Sequence, residues 1–525
     1  MLALGLALVV VPWSTAAPRP GGTFLVAEPA NDISSIDRAL GGDPTVVPTV
    51  CASLMHLQDK PLPAGFRIAP ELAAGFPKVS ADGKTYVFTI RKDARFNTGA
   101  PVTAADVAFT INRILNPVLK SPWSSLFQPI VGSQAVLDGK AAGASGITAT
   151  GRTLTIRLKR RVGDFLEGAA SSLCVLPAGL PITAQGVTAP VPSAAPYYVS
   201  EYVPGQQVVL ERNAYYRGPR PQHVDRIVFD LTVDDTKAID DVLDGTADYA
   251  WVPNVLYSQR APELARRFGV NRSRFFVEPS AFLRMFVLNT SRPLLRNNVP
   301  LRQAINYAIE RTSLSRAFGG RYGETPVDQF VPPIVPGYAD AHVYPLAKPD
   351  LAKAHALARG HTRSGKLVLY TSSTPAVAPL AQIVKQDLAR IGLTVEIDPL
   401  PASLLFQKLA TPGEPFDMAL IGWDLTEPDP GGALGPLFDG GQIGTPSNKD
   451  YSYFNSPRWN RALRHAAQLT GEARYRAYGK LDVELTRDEA PAVAWGVDNT
   501  LTLVSARTGC LVANPGLDLA AVCLK

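Results

Sequence analysis

The sequence predicts an α/β protein of two lobes that share one cleft. Two stretches, residues 226–252 and 366–423, each show the order strand, helix, strand. Their strands are near-continuous apolar runs, which are typical of parallel strands buried on both faces by helices. The two units are far apart in the chain, which indicates two separate sheets, one in each lobe. The apolar stretches 275–280 and 283–289, and the later stretch 492–505, lie outside both units, and we expect them to cross between the lobes.

The first part of the chain carries local signals for a strand, a helix and a hairpin. Residues 84–91 alternate apolar and polar side chains, which predicts a strand. Thr103 is a suitable helix cap, and Asp106 three residues on favours the positive end of that helix. Pro117 ends the helix. Residues 197–211 predict a hairpin around a Pro-Gly pair.

The two strand–helix–strand units follow in order. In the first, residues 226–233 and 247–252 are the strands, and Gly245 ends the helix between them. In the second, residues 366–371 begin the unit and Gly392 ends its helix. The rest of that unit is a strand, a short amphipathic helix and a strand, at 393–397, 403–409 and 416–423.

Length and charge narrow the class of protein. At roughly 150 residues per domain, the 525 residues make about three and a half domain-sized units. A charged fraction of 19% argues against disorder. A net charge of +6 is too dilute for a nucleic-acid-binding surface. We expect a monomer with no nucleic-acid partner.

Residues 1–17 predict an export signal or the remnant of a membrane anchor. Residues 2–11 are an unbroken apolar run, and small residues precede a cleavage point after Ala17. A helix over residues 1–13 would span about 20 Å, short of a hydrocarbon core of about 30 Å. The first cysteine is Cys51, so no lipid-acceptor cysteine follows the apolar run. We expect an extracytoplasmic protein of the periplasm or cell envelope, or a secreted one.

The chain has four cysteines. In an exported protein an even number predicts disulfides, and four allow three pairings. Cys510 and Cys523 are close in the sequence, so we pair them, which leaves Cys51 with Cys174. A metal site is the alternative, but no two cysteines have the short spacing of a zinc knuckle. We expect no metal site.

The sequence carries no recognisable catalytic motif. Residues 360–366 come close to a phosphate-binding loop, but Leu367 stands where Ser or Thr is required and a strand follows. The loop containing Glu427 and Asp429 is stiffened by prolines and could place two carboxylates near the cleft. A fixed turn that grips a ligand fits this loop better than an acid–base pair. We expect a protein that is not an enzyme and has no cofactor.

A ligand site is predicted from where the strands end. In open α/β sheets, ligands bind beyond the carboxyl ends of the strands. In the second unit these ends carry Tyr370, Trp423 and Asp424. In the first lobe they carry Glu28 and Trp251. Aromatic faces with a few carboxylates suit a polar organic solute, although each tryptophan could instead only pack at the core or the rim.

Five segments, in order, resemble the bacterial extracellular solute-binding proteins of family 5, the oligopeptide, dipeptide and nickel class that serves ABC importers. The most specific is 69–115, with Phe96, Pro101-Val102-Thr103-Ala104 and Asp106-Val107 in the family's pattern and one shift near Thr98-Gly99. The other four are 21–40, 200–218, 288–311 and 366–430. The ending and the four-cysteine layout resemble a secreted subset of the family, which supports the two cysteine pairings.

The resemblance implies a two-lobed fold like that of class II periplasmic binding proteins. It places lobe 1 at 18–275 plus 480–525, with an extra subdomain inserted at about 52–185, and lobe 2 at 276–479. It implies closure around a ligand by bending at the two crossings, because a ligand that touches both lobes only in the closed form stabilises that form. It also implies an ABC permease and ATPase complex as partner.

The resemblance also bears on the ligand. Peptide-binding members of the family hold the peptide ammonium with an Asp three residues after the Trp of a Gly-Trp pair. Here that position is Thr426, and Asp424 and Glu427 beside it are the expected substitutes. Arg284 and Arg302 are candidates to hold a ligand anion, with Arg302 expected on a helix surface. Peptide specificity is therefore left open.

We expect a receptor that binds a peptide-like or other polar solute between its lobes and delivers it to a permease. The alternative is a tethered sensory ectodomain of the same fold that reports its ligand to a signalling partner. A secreted hydrolase is disfavoured by the absent nucleophile and base. The ligand could be a peptide, a sugar or a nickel complex, because a fold alone does not choose among them.

Overall fold

The computed structural model describes residues 20–29, 33, 35–42, 45–62, 64–257, 259–425, 429–445, 448–512 and 517–525. Its strands, in chain order, are β1 (Thr23–Ala27), β2 (Met55–Leu57), β3 (Ile68–Pro70), β4 (Lys78–Val79), β5 (Thr85–Thr89), β6 (Ile147–Thr150), β7 (Thr153–Arg157), β8 (Tyr197–Val203), β9 (Gln207–Arg212), β10 (Arg226–Asp230), β11 (Tyr249–Val252), β12 (Phe275–Leu288), β13 (Glu324–Pro326), β14 (Lys366–Ser372), β15 (Thr394–Leu400), β16 (Met418–Asp424), β17 (Ala492–Val504), β18 (Thr508–Gly509) and β19 (Cys523–Leu524).

The α-helices, in chain order, are α1 (Val46–Val50), α2 (Ala104–Leu115), α3 (Ser124–Phe127), α4 (Ser133–Leu137), α5 (Phe165–Ser172), α6 (Asp235–Asp244), α7 (Arg260–Phe268), α8 (Val299–Ala308), α9 (Arg311–Ala317), α10 (Gly320–Gly323), α11 (Leu351–Ala358), α12 (Ala378–Ala389), α13 (Ala402–Ala410), α14 (Gly431–Phe438), α15 (Pro457–Ala466) and α16 (Gly471–Asp488).

Within the described residues, one mixed sheet of 11 strands has the order β15-β14-β16-β12-β17-β11-β1-β10-β9-β8, with β13 paired to β17. It contains two parallel units, β14 with β15 and β16, and β1 with β10 and β11. The antiparallel strands β12 and β17 pair with each other and with both units. The prediction of two separate sheets is therefore wrong, because the crossing strands carry the hydrogen-bond ladder from one unit to the other.

The two crossings are each a single long strand. β12 pairs with β17 from Phe275 opposite Leu503 to Val287 opposite Ala492. The ladder has a register shift between Pro279 and Leu283. Because Pro lacks an N–H, it cannot donate to the ladder, which fits an interruption at this point.

The strands are buried on both faces where the two units lie. Next to the second unit, Met285 belongs to a core on one face of β12 and Phe286 to a core on the other. In the first unit, Phe24 and Ala27 of β1 likewise belong to two different cores. This is the burial that apolar parallel strands require.

A second sheet, of order β4-β5-β7-β6, packs with helices α2 to α5, and we call these elements the four-stranded unit. Helix α2 begins as predicted, because the Thr103 N–H and hydroxyl both donate to Asp106 Oδ2 at 2.7 Å. The apolar face of α2 then packs on β7, with Ile111 and Leu154 in one core.

The disulfide pairings are confirmed. Cys51 is bonded to Cys174 and Cys510 to Cys523, with Cα–Cα distances of 4.8 and 5.3 Å. The hairpin predicted around Pro204-Gly205 is β8–β9. The boundaries of the lobes and of the inserted subdomain stay predictions.

Candidate functional site

The end of β16 lies beside the crossing strand β12, and there aromatic and charged side chains come together. Asp424 stands opposite Phe282, and Trp423 opposite Leu283. Leu283 is in turn paired with Val497 of β17. The end of the second unit therefore meets both crossing strands at one place.

Successive residues of a strand point to opposite faces of a sheet, and this divides the predicted site residues. Asp424 faces the same side as Phe282 and Arg284 of β12. Trp423 faces the other side, where it packs partly against the core that contains Leu283 and Tyr370. Asp424 and Trp423 are therefore neighbours in sequence but not on one surface.

On the Asp424 side, an ion pair joins the two crossing strands. The Arg284 guanidinium donates from Nε and Nη2 to the Asp498 carboxylate at 2.5 and 2.7 Å. The same guanidinium lies 3.9 Å from the ring centre of Phe318 and 5.2 Å from that of Phe282. Arg284 is thus held by an anion and two aromatic faces, and its charge is already matched within the protein.

Burial and the charges around this pair shift the pKa values of the neighbouring carboxyl groups. Burial raises the pKa of Asp498, and the bond from Arg284 opposes that rise. Asp424 is exposed to solvent, yet the surrounding protein displaces enough water to raise its pKa, and the charge of Asp498 raises it further. Among the described residues, no side chain bonds to the Asp424 carboxylate, so it is available to a ligand donor.

Behind the ion pair lies a second buried acid, Glu324, opposite Asp498 in the β13–β17 ladder. A Cβ on Gly496 would lie only 1.8 Å from its Oε2, so the carboxyl occupies the space that a side chain would need. Burial raises the pKa of Glu324 to about 9, and the charge of Asp498 adds to the rise. Glu324 is therefore neutral at neutral pH and leaves Asp498 as the partner of Arg284.

The two candidates from the first lobe differ in exposure. Trp251 is 41% exposed and stands opposite Thr502, four residues beyond Asp498 on β17, so it shares the Asp424 face. Glu28 follows β1 and is 9% exposed, with its N–H donating to the Asp230 carbonyl. Trp251 is the more accessible of the two.

The two aromatic candidates on the opposite face are each anchored by a hydrogen bond, Tyr370 within the second unit and Trp423 to helix α14 after it. Tyr370 is 3% exposed, and its hydroxyl donates to Glu414 Oε1 at 2.9 Å. The Trp423 indole N–H donates to the Gly432 carbonyl at 2.9 Å, and its ring is half-buried. Of these two, Trp423 has the surface that a ligand could contact.

The structure also places the remaining candidates. Thr426 and Glu427 lie outside the described residues. Asp429 is buried and bound to Arg474, so the expectation that it faces the cleft is wrong. Arg302 is also buried, with Nε donating to the Glu489 carbonyl, and not on a helix surface as expected.

Sequence reasoning missed Phe282 and Asp498. Asp498 interrupts the apolar strand β17, and a polar residue within a buried crossing was an available signal. Phe282 had none, because its position over Gly422 depends on the pairing of β12 with β16.

A sequence model described as bacterial extracellular solute-binding proteins, family 5, middle region, matches residues 67–445. The chain belongs to this family. The solute-binding proteins of the family are extracytoplasmic, and their two-lobed fold agrees with the topology described above. The recognition made from the five sequence segments is confirmed.

Relatives of this solute-binding protein are named for several different ligands. Heme-binding protein A of Haemophilus influenzae is 26% identical over 450 residues, covering 81% of this chain and 78% of the relative. The oligopeptide-binding protein OppA of Lactococcus lactis is 28% identical over 304 residues, 53% of this chain and 49% of the relative. The glutathione-binding protein GsiB of Pectobacterium atrosepticum is 24% identical over 406 residues, covering 75% of this chain and 74% of the relative. All three are named as binding proteins, not enzymes.

Solved structures share the fold. Clavulanic acid biosynthesis oligopeptide binding protein 2 superposes with a TM-score of 0.83 at 23% identity, covering 96% of both chains. HbpA2 from Haemophilus parasuis gives 0.80 at 19% identity, covering 96% of this chain and 100% of that one. The murein tripeptide binding protein MppA in its unliganded open form gives a TM-score of 0.78 at 21% identity, covering 97% of this chain and 98% of that one.

Two further features concern the described residues only. Within them, no group of three or more His, Cys, Asp or Glu side chains could hold a metal ion. None of the helices over these same ranges has both the length and the apolar character to cross a membrane.

Proposed function

We propose that this protein is the receptor of an ABC importer, that it binds a peptide-like or other polar solute between its two lobes, and that it delivers the solute to a permease and ATPase complex. Family membership supports the receptor role. The exposed Asp424 carboxylate, next to the crossing strands and without a bonded partner among the described residues, is the observation that supports a ligand with a cationic or donor group. The comparisons do not support the sensory ectodomain.

The chemistry of this carboxylate favours a ligand with a free ammonium. A buried ammonium is costly unless an anion faces it, and Asp424 supplies one at the end of β16. Arg284 is already neutralised by Asp498, so it adds no positive charge that would repel such a ligand. The exposed face of Trp251 provides apolar surface on the same side of the sheet.

The test is ligand-induced thermal stabilisation with a panel of tri- to pentapeptides, glutathione, haem and oligosaccharides. A solute that binds the native state raises the melting temperature by mass action. We expect a rise of several degrees with peptides bearing a free N-terminus and a smaller rise with their N-acetylated forms. No rise with any member of the panel would contradict the proposal.

Asp424→Asn tests the site itself. We expect the peptide-induced rise to fall to roughly a third or less, since an ion pair to a partly buried ammonium is replaced by a neutral contact. Asp398→Asn, on the strand β15 at the edge of the sheet, is the matched control and should keep the full rise. Equal responses of the two variants would exclude Asp424 from the ligand site.

A further inference from the structure

One guanidinium, that of Arg474 in α16, is buried at the meeting point of three parts of the chain. Its Nε and Nη2 donate to the two oxygens of Asp429 at 2.7 and 2.6 Å. Both side chains are buried, so this is a bidentate pair inside the protein. Asp429 lies two residues before α14 begins, so Arg474 holds the chain at the start of that helix.

The same guanidinium also reaches the four-stranded unit. Arg474 Nη2 donates to Asp164 Oδ2 at 2.8 Å. Asp164 immediately precedes Phe165, which belongs to the core of the four-stranded unit. The partners Asp164 and Arg474 are 310 residues apart in the chain, and the Arg474 side chain connects Asp429 to this unit.

Two glycines allow this close approach, one on each side. A Cβ on Gly163 would lie 2.0 Å from the Leu469 carbonyl oxygen, and its N–H donates to the Ala467 carbonyl at 3.1 Å. A Cβ on Gly431, at the start of α14, would lie 2.3 Å from Arg474 Nη2. A side chain at either position would push the groups around Arg474 apart.

An apolar contact accompanies the ion pairs. Phe66, from the segment between β2 and β3, is 4% exposed and belongs to the same core as Tyr478 of α16. Its neighbour Arg67 forms an exposed salt bridge with Glu472 at 3.1 Å. The exposed bridge adds little to stability. The buried Phe66, in contrast, packs the segment between β2 and β3 into the same core as α16.

We propose that Arg474 is a positioning residue that couples the docking of the four-stranded unit to Asp429 and the start of α14, which follow the ligand contacts near Asp424 closely in the chain. The part that concerns ligand rests on the proposed function. The physical reason is that Arg474 Nη2 is shared between Asp429 and Asp164, so losing one partner changes how firmly the other is held.

The experiment is hydrogen exchange of the full chain, followed by mass spectrometry, in Asp164→Asn. This change removes the charge facing Arg474 from the four-stranded unit and leaves the Asp429 pair in place. We expect exchange in the peptide covering residues 424–438 to become faster by roughly twofold to fivefold. Exchange in the hairpin 197–212, remote from Arg474, should not change.

Asp138→Asn is the matched control. Asp138 lies in the same four-stranded unit, pairs with Lys140, and has a side-chain exposure of 36% against 37% for Asp164. It should leave exchange over 424–438 unchanged. Asp164→Glu keeps the charge and should therefore retain most of the wild-type protection that Asp164→Asn loses. A purely steric role of Asp164 would not predict this difference.

A second pair of variants tests the close approach of Gly163 to the Leu469 carbonyl without changing any charge. Gly163→Ala should speed exchange over 424–438, because its Cβ would collide with the Leu469 carbonyl. Gly168→Ala in α5, where a Cβ would meet only Leu126 at 3.7 Å, should not. Unchanged exchange over 424–438 in both Asp164→Asn and Gly163→Ala, or an equal change in Asp138→Asn, would overturn the coupling.

These readings need no ligand, so they separate the coupling from the proposed function. If the peptide panel gives no stabilisation but Asp164→Asn still speeds exchange over 424–438, the proposed function fails and the coupling stands. If peptides bind and exchange is unchanged, the coupling fails alone.

Discussion

At the level of single residues, the protein keeps several carboxyl groups in places where water is largely excluded. Glu167 in α5 and Glu324 in β13 are both buried. A carboxyl in such a place resists ionisation, since the charged form loses its hydration. The consequence is a stability that depends on pH in a direction set by the sign of each shift.

Glu167→Gln should flatten the pH dependence of stability. Burial raises the pKa of Glu167 from 4.5 to about 7, and the charges of Asp429 and Asp164 add to the rise. The folded protein therefore holds this proton more tightly than the unfolded chain does, so the free energy of unfolding falls as pH rises from about 4.5 to about 7 and is level above. The contribution is on the order of 3 kcal/mol.

The measurement is the urea midpoint of wild type and Glu167→Gln at intervals between pH 4.5 and 8. The variant should lose part of the decline over that window. Glu263→Gln, at a partly exposed position in α7, is the control and should keep the wild-type slope. A Glu167→Gln slope identical to wild type would show that this carboxyl ionises normally.

At the level of elements, the most family-specific motif of the sequence has a structural role. Asp106 Oδ2 accepts from the N–H and hydroxyl of Thr103, and its Oδ1 accepts from the Ala178 N–H at 2.8 Å. One side chain thus caps α2 and ties it to the chain beyond α5. The motif is explained by this double attachment and needs no ligand contact.

Asp106→Ala should lower the free energy of unfolding clearly more than Thr103→Ala does. Loss of the cap hydroxyl costs about 1 kcal/mol, whereas loss of Asp106 removes three bonds to a carboxylate and should cost about 3 kcal/mol. Urea unfolding followed by circular dichroism measures both. Equal costs, or a loss of ligand stabilisation in Asp106→Ala at unchanged stability, would point instead to a ligand role for the motif.

The elements show how far sequence alone reaches. Helix α2, the β8–β9 hairpin and the crossings β12 and β17 were predicted, because caps, turn residues and apolar periodicity are local signals. The joining of both units into one sheet was not, since it depends on strands far apart in the chain. The same holds for the candidate site. Asp424 and Trp251 were predicted from their positions at strand ends, but their separation from Trp423 by strand alternation, and the partners of Arg474, depend on register and on long-range contacts.

The short disulfide loop at the carboxyl end acts together with an ion network. Asp518, inside the loop closed by Cys510 and Cys523, lies 3.7 Å from Arg220 Nη2, and Arg220 Nε donates to Asp59 at 2.9 Å. The disulfide therefore holds one carboxylate of this network in place. Removing this disulfide should lower the free energy of unfolding by more than the loop-closure contribution alone. For a sequence separation of 13 that contribution is about 3 kcal/mol.

The prediction compares Cys510→Ser/Cys523→Ser with Cys51→Ser/Cys174→Ser in thermal melts. Loop closure alone ranks the second pair higher, at about 4–5 kcal/mol for its separation of 123. Because the first pair also releases Asp518, we expect the two losses to be similar. A loss from the first pair well below that from the second would show that Asp518 holds its place without the disulfide.

At the level of the whole molecule, the two parallel units are parts of one sheet, and β12 and β17 join them. The register shift between Pro279 and Leu283 interrupts that ladder close to Asp498 and Arg284. A regular antiparallel ladder resists bending, so relative motion of the lobes should concentrate at the interruption. The candidate ligand contacts at Asp424 therefore lie next to the predicted hinge.

Asn499 stands opposite Pro279 at this interruption and is held by two hydrogen bonds. Its carbonyl accepts from the Tyr257 hydroxyl at 2.8 Å, and its side-chain Oδ1 accepts from the Thr325 hydroxyl at 2.9 Å. Tyr257→Phe removes the first bond and should loosen the hinge. We expect a loss of about 1 kcal/mol in unfolding free energy and faster hydrogen exchange over residues 496–503.

Tyr197→Phe is the matched control for Tyr257→Phe, because the Tyr197 hydroxyl likewise donates to a backbone carbonyl, that of Val224, at 3.0 Å. Both tyrosines are buried, so the two changes should cost similar stability. Only Tyr257→Phe should speed exchange over 496–503 and broaden the distribution of interatomic distances measured by small-angle X-ray scattering. If both variants leave that distribution as it is in the wild type, the bond to Asn499 does not limit motion between the lobes, and the hinge must be held by the β12–β17 ladder alone.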